Sequence, residues 1–147
     1  MQTYRVCFAD TDAGGIVYHA RYLEIAERSR NELLRSAGIS LGALVRSARA
    51  KKDGAGLVLH RIVAKFNAPA FPDDLLTLHT EIQSHNAARS VWRTAISRDQ
   101  APICVIDAEL VCINVTTGQA VLIPDFLDKA ITGIAHHPTS AETPLSC

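Results

Sequence analysis

The sequence is expected to form an α+β domain, with an antiparallel sheet wrapped around one long amphipathic helix. Three observations predict this. Between His19 and Ala37, residues Tyr22, Ile25, Ala26, Ser29 and Leu33 recur at helical spacing on one face. Strand-like segments gather after the helices instead of alternating with them, which indicates α+β layering and not βαβ units. The chain has 147 residues, 48% apolar and 20% charged. A domain of that size buries roughly 68–70% of its unfolded surface and needs no staple.

The elements follow in order. Tyr4–Phe8 is β-branched and aromatic enough for a strand, and it ends at the turn formers Ala9–Gly15. The main helix spans about His19–Ala37, with Glu24 and Arg28 at i,i+4 in the favourable order and Gly38 as its stop. Ser40 is positioned to cap a short helix through about Arg49. Lys51–Gly56 forms a loop, and strands are expected at Leu57–Phe66, Leu75–Gln83, Ser90–Arg98 and Ile103–Val115. A further short strand, Val121–Ile123, follows the turn at Thr116–Gln119, and Phe126–Ile134 closes as a helix turn or two. One domain thus spans residues 1–135, and residues 136–147, rich in Pro, Ser and Thr, form a flexible tail.

Composition excludes several classes. Fifteen Lys plus Arg balance fifteen Asp plus Glu. That balance is a poor basis for bulk nucleic-acid binding, which rests on excess cations. No apolar run reaches the roughly 18–20 residues of a membrane span. The N-terminus enters a strand pattern without a signal-like apolar region, so a cytoplasmic protein is expected. Cys7, Cys104 and Cys112 lie in apolar stretches, where free cysteine behaves as a small hydrophobe, and no two-disulfide framework is expected. The six histidines show no metal-ligand spacing, and no GxGxxG, P-loop or HExxH is present, so no metal or cofactor is expected.

One segment stands apart, Asp10-Thr11-Asp12-Ala13-Gly14-Gly15-Ile16-Val17-Tyr18-His19. Two carboxylates and a glycine pair precede a helix start, where unpaired N–H groups and the positive end of the helix dipole converge. Such amides can polarise a carbonyl, and a nearby carboxylate can act as general base or nucleophile. The same residues also suit a structural role, with Asp10 and Asp12 forming Asx turns ahead of the helix.

The stretch from Phe8 to Glu24 resembles the signature of hotdog-fold acyl-CoA thioesterases, specifically the 4-hydroxybenzoyl-CoA thioesterase family and its branch associated with the Tol–Pal system. The helix continuation Glu27–Leu34 is similar too. Pro69-Ala70-Phe71-Pro72-Asp73-Asp74-Leu75 resembles a second family block, and Thr116-Thr117-Gly118-Gln119 with Ile123-Pro124 a third. The resemblance covers roughly Thr3 to Pro124. It implies a hotdog fold and hydrolysis of an acyl-CoA to free acid and CoA. Asp12 would be the catalytic carboxylate, acting as base or nucleophile, and the His19 backbone N–H would hold the thioester oxygen. The His19 imidazole would assist catalysis or serve a capping role. Gly15, Tyr18, Arg89 and Ser90 would contribute to substrate binding, with Arg89 near the nucleotide. The resemblance further implies a homodimer or homotetramer with sites at the subunit interface. Phe71-Pro72 departs from the family, whose members often carry arginine after the Pro-Ala pair. An acyl-carrier-protein thioesterase and a non-catalytic acyl-CoA-binding module are the alternatives.

Overall fold

The computed structural model describes residues 1–136 and 143–145. Strand β1 is Gln2–Arg5, followed by a 3-10 turn at Phe8–Asp10. Helix α1 spans His19–Ser36 and α2 spans Leu41–Ala50. Strands β2 (Ala55–Phe66), β3 (Leu75–His85), β4 (Arg89–Arg98) and β5 (Ala101–Asn114) come next, then α3 (Asp125–His136) and β6 (Thr143–Leu145). The six strands form one sheet in the order β2-β5-β4-β3-β1-β6, antiparallel except for the parallel β1–β6 pair. This is the expected hotdog arrangement, with the long helix α1 packed against β3, β4 and β5.

Side-chain periodicity explains the packing. β4 buries Ser90, Trp92, Thr94 and Ile96, every second residue, as a strand with one covered face must. β5 buries Cys104, Ile106, Ala108, Leu110 and Cys112 by the same rule. Against them α1 turns Tyr22, Ile25, Ala26, Ser29, Leu33 and Leu34. The core has two lobes, one around Tyr22 and Ile25 with Leu76 and Ile106, the other around Leu33 and Leu34 with Trp92, Leu127 and Ile131. Between them, Ser29 Oγ lies 2.6 Å from Thr80 Oγ1, which lies 2.9 Å from Thr94 Oγ1. The buried hydroxyls satisfy one another instead of breaking the core.

Several expected boundaries move. The first strand ends at Arg5, because the Cys7 N–H is drawn 2.7 Å to the Asp10 carboxylate and the chain closes into the 3-10 turn. Cys7 is disulfide-bonded and half-buried at the head of that turn, so the expectation that it is a free core thiol is corrected. Cys104 and Cys112 are free and buried as expected. Ser40 caps α2 by accepting the Ala43 N–H at 3.3 Å. The strand expected at Val121–Ile123 does not form. Ala120 makes only an isolated bridge to Ile113, and the Ile123 N–H turns to the Ala87 carbonyl at 2.7 Å. Of the tail expected at 136–147, residues 143–145 form the edge strand β6, and 137–142 and 146–147 lie outside the described residues. Among the described residues, no helix is long and apolar enough to cross a membrane.

A buried ion pair ties the start of α1 to the sheet. The Asp10 side chain is fully buried. Its Oδ2 accepts from the Tyr4 hydroxyl of β1 at 2.8 Å and from the Cys7 N–H, and its Oδ1 accepts from Arg21 Nε of α1 at 2.6 Å. The Tyr18 N–H also donates to the Asp10 carbonyl at 2.9 Å. Burial alone would raise the Asp10 pKa, but the donations from Cys7, Arg21 and Tyr4 outweigh it and hold the carboxyl below its ordinary 3.8.

A carboxyl with a lowered folded pKa stabilises fully above its ordinary value, and that contribution fades as pH falls through the lowered one. Asp10→Ala leaves two donors and a cation without their acceptor and is expected to cost about 2–4 kcal/mol in urea unfolding at pH 7. The deficit relative to wild type should shrink below pH 4, near the ordinary 3.8. Gly54 offers a second check, since a Cβ there would stand 1.8 Å from the Ala48 carbonyl oxygen. Gly54→Ala must push α2 from β2, and about 1–3 kcal/mol of lost stability is expected by the same assay.

Candidate active site

The Asp12 loop is a tight hairpin built by its own backbone. Thr11 bridges Val17, the Asp12 N–H donates to the Ile16 carbonyl at 3.0 Å, and the Gly15 N–H returns to the Asp12 carbonyl at 3.0 Å. Gly15 has φ +75°, a left-handed conformation that side-chain-bearing residues adopt at a cost, so the glycine is required by the turn. The Asp12 carboxylate accepts the Gly14 N–H at 2.8 Å through Oδ1, as in an Asx turn. Oδ2 makes no hydrogen bond among the described residues. The structural and the chemical readings of Asp12 are therefore compatible, since only one oxygen is engaged.

The hairpin delivers the chain directly into α1. Tyr18 is the N-cap residue, with extended backbone and no side-chain cap on the helix. The Arg21 N–H bonds the Tyr18 carbonyl at 2.8 Å, whereas the His19 and Ala20 N–H groups meet no acceptor among the described residues. An 18-residue helix thus presents open donors, at the positive end of its dipole, beside the Asp12 turn. The Tyr18 and His19 rings pack with centroids 4.4 Å apart, and Tyr18 is half-exposed. Asp12, Gly15, Tyr18 and His19 are therefore gathered on one short stretch, all exposed in the single chain.

Contacts outside the motif fix this stretch in place. The Val17 N–H donates to the Ala70 carbonyl at 2.9 Å, which attaches the hairpin to the Pro69–Asp74 turn. That turn is held in its own right: Asp74 Oδ2 accepts the Phe71 N–H at 2.8 Å and pairs with Arg98. The structural role expected for Asp10, a local turn ahead of the helix, is incomplete. Its acceptors also serve Tyr4 and Arg21, partners remote enough in sequence to escape local reading.

Arg89 and Ser90 lie elsewhere. They open β4, opposite His85 at the far end of β3 from Leu75, whereas the Asp12 hairpin is tied to the segment just before Leu75. Arg89 pairs with Glu109 at 2.6 Å, and buried Ser90 accepts Trp92 Nε1 at 2.9 Å. A single chain does not bring them to Asp12. Among the described residues, no cluster of His, Cys, Asp and Glu can hold a metal.

Comparison with known proteins gives this geometry a context. The model of the thioesterase-like superfamily matches residues 6–131. The acyl-CoA thioester hydrolase YbgC of Escherichia coli O6:H1 is 33% identical over 111 residues, covering 75% of this chain and 78% of the relative. The acyl-CoA thioesterase YbgC of Haemophilus influenzae is 29% identical over 133 residues, covering 90% and 91%. A solved probable thioesterase from Bartonella henselae superposes with a TM-score of 0.75 at 34% identity, covering 83% of this chain and 96% of that one. With that family model matching most of its length, the chain belongs to the thioesterase-like superfamily.

Proposed function

We propose that this protein hydrolyses acyl-CoA thioesters at the start of α1, with Asp12 as the catalytic carboxylate. The observation that carries the reading is a helix start whose His19 and Ala20 N–H groups, and a preceding hairpin whose Asp12 Oδ2, meet no hydrogen-bond partner among the described residues. The relatives named as acyl-CoA thioesterases support the substrate class. The amides take the thioester oxygen and stabilise the negative charge that develops on it, a contribution of about 3 kcal/mol per well-placed donor. Asp12 either removes the proton of an attacking water or attacks the carbonyl carbon itself. When water attacks, the C–S bond breaks to leave the carboxylic acid and CoA thiol. When Asp12 attacks, CoA leaves first and water then hydrolyses the acyl–Asp12 anhydride to the acid and free Asp12. Gly15 gives the loop its turn, and Tyr18 and the His19 imidazole line the entrance.

A homo-oligomer completes the site. β2 is one of the two outer strands of the sheet, 12 residues long, with Val58, Leu59, Val63 and Phe66 exposed. A long apolar edge of that kind invites pairing with another strand. Phe66 packs on Tyr22 of α1 with ring centroids 5.8 Å apart, so this edge runs up to the catalytic end of the helix. A second copy pairing along β2 would shelter Asp12 and the amides from water. Arg89 contributes to binding only from that second subunit, whereas Ser90, buried and hydrogen-bonded to Trp92, is held inside its own chain and takes no part in binding. A tetramer would join two such dimers.

Thiol release from a panel of acyl-CoAs tests the activity, and Asp12→Asn is expected to lower kcat by at least 100-fold with an unchanged melting curve. Unchanged turnover would remove Asp12 from the mechanism. Leu59→Lys on the β2 edge is expected to shift sedimentation toward the monomer and to lower turnover in proportion to the dimer lost.

A further inference from the structure

A second feature lies eleven positions farther along α1, at Arg30. Only 9% of this residue is exposed. Arg21, Arg35, Arg89, Arg93 and Arg98 each meet a carboxylate, but no hydrogen bond or ion pair reaches Arg30 among the described residues. Burial pulls its pKa down, and only the through-space pull of Glu27, one turn earlier and exposed, opposes this. The Arg30 nitrogens are not among the side-chain atoms sealed off without a partner, so the guanidinium keeps its contact with solvent through the cavity that it lines. A cation so far withdrawn from bulk water gains by pairing with an anion there.

Arg30 lines a cavity of about 720 Å³ between α1, α2 and β2. Its other walls are chiefly apolar, with Leu34, Leu41, Leu44, Leu57 and Leu110 among them. Three charged residues also line it, Glu27 and Arg49 at exposed positions and Arg30 withdrawn from the surface. A mostly apolar cavity of this size with a few polar groups has the make-up of a small-molecule site. The guanidinium fork matches a carboxylate with two parallel N–H···O bonds.

We infer that this cavity binds an organic carboxylate with an apolar body, the carboxylate on Arg30 and the hydrocarbon among the leucines. Two sources share that chemistry. One is a free medium-chain acid, the kind of product that thioester hydrolysis releases. The other is the far carboxylate of a dicarboxylic acyl group still joined to CoA. The second source rests on the proposed thioesterase reading, but the binding itself does not.

Calorimetric titration of the intact protein with octanoate and with 1-octanol tests the inference without any turnover. Octanoate is expected to bind at least ten-fold more tightly than the alcohol, and Arg30→Gln to abolish that difference. Val45→Trp, at a half-exposed position on the cavity wall, should weaken both ligands while leaving the core intact. Should Arg30→Gln fail to fold, the acid-to-alcohol ratio in wild type and its response to Val45→Trp decide the matter. Octanedioyl-CoA displacing octanoate where octanoyl-CoA does not assigns the far carboxylate of a bound acyl group. Displacement by neither assigns the free acid. Equal binding of acid and alcohol, or full octanoate affinity in folded Arg30→Gln, would overturn the inference. Loss of thioesterase activity alone would not affect it.

Discussion

The structure depends on one buried charge. Asp10 is taken out of water completely, and a carboxylate in that position is tolerated only when donors surround it. The donors come from β1, from the 3-10 turn and from α1, so three segments must agree in position before the charge is satisfied. The beginning of α1 is thereby fixed relative to the sheet. A reacting centre built from backbone amides needs such a support, because the amides have no rotamers with which to correct a misplaced helix.

The two aspartates of the loop divide the work according to their surroundings. Asp10 is buried and committed to structure. Asp12, two residues later, is exposed with one oxygen held by the Gly14 N–H. The uncapped helix start follows the same logic. A serine or aspartate at position 18 would satisfy the first-turn donors and stabilise the helix, but Tyr18 leaves them open. Leaving a cap unmade costs local stability, and here the cost falls where a ligand oxygen can take its place. The apolar edge of β2 adds the remaining constraint, since it ends against Tyr22, close to this helix start.

Much of this was legible in the sequence because the signals were local. The stripe of Tyr22, Ile25, Ala26, Ser29 and Leu33 is the buried face of α1, and Ser40 caps α2 as its position suggested. The turn chemistry around Gly15 was readable for the same reason. What escaped was set by contacts between distant residues. The truncation of β1 at Arg5 follows from Asp10 reaching back to Cys7 and Tyr4, and Arg21 joins across a full turn of loop and helix. The Val121–Ile123 stretch has strand-like residues, but its N–H groups are divided between Cys112 and Ala87, so no ladder forms. Arg89 and Ser90 match the family by local sequence, and only the strand register shows that they lie at the other end of β3 from the Asp12 hairpin within one chain. Arg30 resembles any polar residue at the margin of a helical stripe, and its burial becomes visible only once α2 and β2 close around it.

The central claim is that the open amides at the start of α1 hold a thioester oxygen beside Asp12. The most direct measurement is the infrared carbonyl frequency of a carbonyl-13C-labelled acyl-CoA bound to the slow Asp12→Asn variant. Polarisation by the His19 and Ala20 N–H groups predicts a carbonyl band shifted to lower frequency than that of the same thioester in water. A bound thioester whose band stays at its aqueous position would contradict the account.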